Sequence, residues 1–478
     1  MSGTRPRPGP SRERPLVAVI GGGFAGAALA YQLARRAPDV FRIVVVEPRP
    51  QLGGGLAYST GDPAHRTNVP ASRMTFLQSD PCHFDRWLKA DAALRDDPDA
   101  TLPDGRAFPQ RSVFGRYASE TIEPFLLSGE IEHLCDRATA VRETGEGYRI
   151  ELAGGGAVKA DFVALAAGHP APAAPPPLAH FAGDPRLIQD PLTGGALDRL
   201  RSDARLLIVG CGLTMADIVA SLDARGHCGL IHAISRRGLL PRPHAETPGE
   251  FGAFAKAPSR TALALLGHVR DTIRLAEAEG RPWQHVIDAC RAQGRAIWAA
   301  LPSSERRRFV RRLRPFWDVH RFRIAPQTNA VLQRRLGDGG LRVDAGRIVE
   351  AKAKDAAIEV TIRLRGGRLE TAEFDAVALA TGPAHRSLID TDPLFSDLYS
   401  NGLITLDEVG LAFAVDGRSH ALGRDDHAQP TLWIAGPLAR GAFGELMGLP
   451  EVGRHAEEVA GDIIRTYARE LADARVVA

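Results

Sequence analysis

Residues 16–47 read LVAVIGGGFAGAALAYQLARRAPDVFRIVVVE. LVAVI is a short apolar run without alternation, the pattern of a strand buried on both faces. Gly21-Gly22-Gly23-Phe24-Ala25-Gly26 follows it and fits G-x-G-x-x-G. Ala27–Arg36 continues as a helix, and Arg42–Glu47 is a second apolar strand. Each glycine has a physical job: Gly21 permits the tight turn, Gly23 lets backbone approach a pyrophosphate, and Gly26 lets helix pack closely on strand. The helix start at Phe24 and Ala25 offers free N–H groups and a partial positive charge. Glu47 lies 21 residues past Gly26, where a carboxylate accepts from ribose hydroxyls. Strand, glycines, helix, strand and acid in register predict a dinucleotide site. Glu47 would repel a 2′-phosphate, which suits FAD or NAD better than NADP.

The chain repeats this plan. Arg205–Val209 predicts another buried strand, Gly210-Cys211-Gly212-Leu213-Thr214-Met215 another glycine turn, and a helix follows to Ala224. Leu230–Ser235 predicts the next strand and ends on Arg236-Arg237 instead of an acid. Arginine there can pair with a 2′-phosphate, so this second site favours NADPH over NADH. Met215 replaces the third glycine and weakens the motif. Cys211 reads as a small turn residue. Each half also carries a meander closing on strand–Ala–x–Gly. Ile131–Val141, Tyr148–Leu152 and DFVALAAG to Gly168 match Leu341–Ala351, Ile358–Leu364 and DAVALATG to Gly382.

The predicted class is therefore α/β, with two Rossmann-like, three-layer dinucleotide-binding domains. Residues 1–14, rich in Pro and Arg, are expected to be disordered. Residues 15–200 form the first part of the FAD-binding domain. Residues 201–382 form the NAD(P)H-binding domain, with a helical insertion at about 251–320. Residues 383–478 return to the first domain. Within the insertion, Ala262, Leu266, Val269, Ile273 and Ala276 follow helical spacing. PAPAAPPP at 170–177 reads as a connector.

Of the 478 residues, 60 are Lys or Arg and 57 are Asp or Glu, giving +3. That balance argues against a dedicated nucleic-acid binder. Fifty-five of the basic residues are Arg, six of them in Arg306–Arg314. The run reads first as a solvated helix face, then as a mouth attracting phosphates or an anionic substrate. Five cysteines without a C-x-x-C pair predict no disulfide framework, no metal site and a reduced, cytoplasmic setting. Arg12, Arg14 and Leu16–Ala30 faintly imitate a signal peptide, but four glycines break the apolar run. No stretch is long and apolar enough to predict a membrane span.

The paired glycine turns and their closures resemble the two-dinucleotide-binding flavoproteins. In those proteins the first site holds FAD and the second holds NAD(P)H. Thr431-Leu432-Trp433-Ile434-Ala435-Gly436-Pro437 looks like their late strand, with Gly436 and Gly441 as the turn facing the flavin. Several segments narrow the likeness to a bacterial FAD–NAD(P)-binding family. They are Gly55-Leu56-Ala57-Tyr58, DPAHRTNVP at 62–70, Arg73-Met74, FDRWL at 84–88, RPFWDVHR at 314–321 and GPLARG at 436–441. That family is similar in layout to the ornithine and lysine N-hydroxylating flavin monooxygenases. The F-x-G-x-x-x-H motif of Baeyer–Villiger enzymes and the C-x-x-C of disulfide reductases are both missing.

The resemblance implies an oxidoreductase in which NADPH reduces FAD and the reduced flavin reacts with O2 and a small-molecule substrate. The cofactors would carry the hard step, which explains why no nucleophile–base pair is visible. His65 and Asn68 are the candidate catalytic residues, expected in a segment over the flavin. Asn68 could bond the flavin or the nicotinamide amide, or cap the turn before Pro70. Two other readings stay open: a reductase or dehydrogenase with a non-oxygen acceptor, and a non-catalytic redox sensor.

Overall fold

The computed structural model describes residues 14–384 and 387–477. The N-terminal segment expected to be disordered lies, but for Arg14, outside the described residues.

β1 (Leu16–Ile20) is fully buried, as its uninterrupted apolar run requires. α1 (Phe24–Arg36) follows, then β2 (Arg42–Val46). α2 (Arg111–Leu127) leads to β3 (Ile131–Leu134), which pairs with β2 in parallel. The sequence reads Ile131–Val141 as one arm of a meander, but the chain breaks it in two. β3 stays in the main sheet. β4 (Ala138–Thr144), β5 (Gly147–Leu152) and β6 (Ala157–Ala160) form a separate three-stranded antiparallel sheet. β7 (Phe162–Leu165) then returns beside β1.

The second half repeats this with different joints. β8 (Leu187–Ile188) and β9 (Leu206–Val209) flank β14 (Ala376–Leu379) in parallel. α3 (Leu213–Ala224) and β10 (Ile231–Ser235) follow β9. β11 runs unbroken from Leu341 to Ala353. It pairs in parallel with β10 up to Ala345 and antiparallel with β12 (Ile358–Leu364) from Gly346 onward. β13 (Leu369–Phe374) closes the meander. The second module begins earlier than residue 200, because Leu178, Phe181 and Leu187 already pack in its core. A two-residue strand carries too little periodicity to be legible beforehand.

Five helices build the insertion: α4 (Ala262–Ala278), α5 (Trp283–Ala292), α6 (Gly294–Ala300), α7 (Ser303–Arg312) and α8 (Arg314–Arg321). α9 (Pro326–Gly337) leads back to β11. Ala262 and Ala276 are buried, but Leu266, Val269 and Ile273 are only half-buried, because they line a cavity. After β14 the chain crosses back. β15 (His420–Leu422) and β16 (Ala428–Ile434) join the first sheet, with β16 parallel to β7. The first sheet has the order β15-β16-β7-β1-β2-β3, the second β13-β12-β11-β10-β9-β14-β8. α10 (Leu449–Val477) packs along α1. Among the described residues no helix is long and apolar enough to cross a membrane.

Candidate functional site

The first glycine turn is built by close approach. Gly21 has φ +101°, and a Cβ there would lie 2.7 Å from the Ala166 carbonyl oxygen. A Cβ on Gly26 would fall 1.8 Å from the Gly21 oxygen. Both positions exclude any other residue. Gly23 begins α1 without a side-chain cap or a first-turn acid, so the N–H groups of the first turn are available to an anion. Across the loop stands Gly55, its Cα 3.4 Å from where a Gly23 Cβ would be. A side chain at either position would fill this backbone-walled passage. Glu47, just past β2, is 4% exposed. Its Oε2 accepts from the Gly22 N–H at 2.8 Å and its Oε1 from the Arg49 N–H at 3.1 Å. The turn, the uncapped helix and the oriented carboxylate fit an FAD pyrophosphate and ribose.

The second turn repeats the device. The Gly21 N–H donates to the Val46 oxygen at 2.9 Å, and the Gly210 N–H donates to the Ile234 oxygen at 2.7 Å. Gly210 has φ +125° and faces the Ala380 oxygen as Gly21 faces Ala166. Gly212 starts α3, again without a cap or an acid, beside half-buried Thr214. Met215 is fully buried in the second core. Burial pushes the Cys211 thiol up to about 11, which makes it an inert packing group. Arg236 is exposed and has no ion pair among the described residues. Arg237, also without an ion pair among the described residues, stacks over the Phe316 ring at 4.6 Å.

Gly168 and Gly382 end their closures in open space, where a Cβ would meet nothing within 4 Å. The two closures meet through a bridge between Pro172 and Pro383. Gly436 has φ +77° and packs on Ala25 at the start of α1, where an added Cβ would lie 2.9 Å from the Ala25 Cβ. Its N–H donates to His455 Nδ1 at 3.0 Å. Five residues on, the Gly441 carbonyl accepts from Trp298 Nε1 of the insertion at 2.7 Å. The late turn thus ties the first glycine motif to the helical insertion.

His65 is 3% exposed, with Nδ1 bonded to Thr60 Oγ1 at 2.8 Å and Nε2 to Ser221 Oγ of α3 at 3.0 Å. Burial pushes its pKa down, so the ring is neutral. With both nitrogens engaged, it links the segment at Thr60 to α3 of the second module. Beside it the Arg111 N–H donates to the His65 oxygen at 2.8 Å. The Arg111 guanidinium pairs with Asp217 of α3, also at 2.8 Å. Asn68 keeps a half-buried side chain with no hydrogen-bond partner among the described residues. Its carbonyl accepts from His244 Nε2 at 3.0 Å. The polar fixation comes through its backbone, and the amide stays available. Among the described residues no group of three metal-ligating side chains assembles.

The sequence assigned no role to Arg111, Asp217, Ser221, His455 or Arg440. Asp217 ends the second glycine motif and Arg440 lies in GPLARG, and the significance of both depends on burial that no local pattern reports.

Residues 18–170 match a family described as FAD–NAD(P)-binding. No curated protein matches the chain. Among solved structures the chain is similar to an ornithine hydroxylase from Pseudomonas aeruginosa, at 15% identity and a TM-score of 0.63, over 95% of this chain and 99% of that one. An ornithine N-hydroxylase from Kutzneria sp. 744 gives 18% and 0.62, over 94% and 98%. An L-lysine 6-monooxygenase from Pseudomonas syringae gives 19% and 0.63, over 94% and 99%. At these identities the likeness is one of fold, and it spans both modules and the insertion.

Proposed function

We propose that this chain is an FAD-dependent, NADPH-using monooxygenase acting on a small organic substrate. The carrying observation is the pairing, in one chain, of an acid-ended glycine turn with an arginine-ended one. Glu47 recruits ribose hydroxyls and repels a 2′-phosphate, whereas Arg236 attracts one. One site therefore suits FAD and the other NADPH. Two of the structural neighbours are named ornithine hydroxylases and another a lysine 6-monooxygenase, which supports the oxygenase reading over other uses of the fold.

When both are bound, the nicotinamide supplies hydride and the flavin passes electrons to oxygen. The chain's own residues bind and orient. The first turns of α1 and α3 hold phosphates with backbone N–H groups. Gly436 leaves room for backbone close to α1. The Asn68 amide, unengaged among the described residues, is the candidate to orient a ring amide. His65 and Arg111 hold the modules in register.

The test is to purify the protein, mix it anaerobically with NADPH or NADH, then admit air. We expect bound flavin, bleaching that is faster with NADPH, recovery in air, and oxygen uptake raised by a subset of amines, thiols or ketones. A protein that binds no flavin, or whose flavin neither nicotinamide reduces, refutes the proposal. Reduction without any substrate-dependent oxygen uptake assigns the chain to the reductases instead.

A further inference from the structure

The five helices of the insertion, together with Leu411 and residues 440–447, line a half-open cavity of about 420 Å³, within the range of small-molecule sites. Its wall is mainly apolar, with Arg270, Arg314, Asp318, His320, Arg440 and Glu445 among the lining residues. Leu266, Val269 and Ile273 come from one face of α4, Ile297 and Trp298 from α6, and Trp317 from α8. This explains why the apolar stripe of α4 stays half-buried: it faces a hollow and not a packed core. None of the lining residues comes from the first glycine motif or from DPAHRTNVP at 62–70.

One end of the cavity is different. Arg440, Arg314, Asp318 and Glu445 line it. Asp318 is already bonded to Arg314 at 3.3 Å. Glu445 accepts from Trp317 Nε1 at 3.3 Å and is paired with Arg321. Arg440 is only 5% exposed, and its Nε and Nη1 have no hydrogen-bond partner among the described residues. The charged groups acting on it most strongly are Arg314, Arg321, Asp318 and Glu445. Two are positive and two negative, and among the described residues none of the acids forms an ion pair with Arg440. Burial and Arg314 press its pKa down to about 10. A buried guanidinium with unused donors is costly unless an acceptor completes it. Arg440 also lies four residues after Gly436, which packs on Ala25 at the start of α1.

We infer that the insertion is a pocket for an elongated apolar molecule bearing a carboxylate, its chain among the α4, α6 and α8 side chains and its head on Arg440. The identification of that ligand as the substrate rests on the oxygenase reading above; its binding does not. The acids at this end are already committed to arginines, so no free carboxylate remains to receive an ammonium. The pocket is thus unsuited to a zwitterionic diamino acid.

The test uses the full, FAD-loaded chain and titration calorimetry with decanoate, decan-1-ol, decylamine and L-ornithine, with Trp298 and Trp317 fluorescence as a second readout. Decanoate should bind at least about tenfold more tightly than decylamine or L-ornithine, as one charge-assisted pair implies. Arg440→Leu should weaken decanoate about tenfold and leave decan-1-ol unchanged. Leu266→Trp, which fills the wall and keeps Arg440, should weaken both. If Arg440→Leu does not fold, the second variant still decides. The inference is overturned if decanoate does not bind, if L-ornithine binds better, or if Leu266→Trp leaves decanoate affinity unchanged. NADPH reduction of the flavin, followed in the same samples, separates the two proposals. Reduction without decanoate binding refutes the pocket alone, and binding without reduction refutes the oxygenase alone.

Discussion

Gly23 and Arg236 do opposite work at single positions. Gly23 needs no unusual backbone angle: its φ is −65°. It is required because a side chain would enter the passage facing Gly55. Gly23→Val should therefore abolish flavin retention while the fold persists, read as flavin absorbance per protein beside the circular-dichroism melt. Normal flavin content in a folded variant would remove the assignment of the first site. Arg236 is exposed and has no ion pair among the described residues, so Arg236→Ala costs the fold little. The loss of one charge-assisted contact should raise KM for NADPH about tenfold and leave KM for NADH nearly unchanged. Equal effects on the two cofactors would refute the preference for NADPH. Both residues are legible in sequence because glycine in a strand–turn–helix and arginine at a strand end act through local geometry.

At the scale of elements, α10 fixes the turn after β16 through one histidine. His455 Nδ1 accepts from the Gly436 N–H, so its proton is on Nε2, which bonds Ser419 Oγ at 2.7 Å. The ring works only when neutral, and burial holds its pKa down to about 3. Burial likewise lowers His169 and His244 to about 4 and also lowers His65. A histidine titrates near 6.5 in the unfolded chain. Above that pH both states are neutral and stability is flat. Below it the unfolded chain takes up protons that the folded chain refuses. Stability then falls by about 1.4 kcal/mol per pH unit for each such histidine, until the folded pKa is reached. Urea unfolding at pH 7 and pH 5 should show this loss. His455→Asn, which keeps an acceptor for Gly436 but cannot titrate, should make the slope shallower by about one proton. An unchanged slope would show that His455 does not hold the turn in its neutral form. None of this is visible locally, because Gly436 and His455 are 19 residues apart and meet only when β16 enters the first sheet.

Across the whole molecule, the doubled plan was legible because strand, glycine turn, helix and strand repeat at matching distances. What escaped depends on segments far apart in sequence. His65 bonds Ser221, 156 residues on, a contact that no local pattern announces. The early entry of Leu187–Ile188 into the second sheet, and the hollow behind the α4 stripe, are likewise products of packing, not of periodicity. The clamp around His65 has a consequence for the reaction, because hydride transfer needs the two cofactor sites held in one geometry. Asp217 is buried, and burial pushes its carboxyl pKa up while Arg111 opposes the shift. The pair is 13% and 6% exposed at 2.8 Å, so solvent screens it little, and removing one charge should cost about 3 kcal/mol. Asp217→Asn keeps the shape and removes that charge. Because Gly21, Gly23 and Glu47 are untouched, flavin content should stay at the wild-type level. The rate of flavin reduction by saturating NADPH, measured by stopped flow, should fall about tenfold as the modules lose register. If flavin content falls in parallel with the rate, the damage is to folding at large and not to the docking of one module on the other. If the rate holds, the Arg111–Asp217 pair stabilises α3 without setting the distance between the two nucleotides.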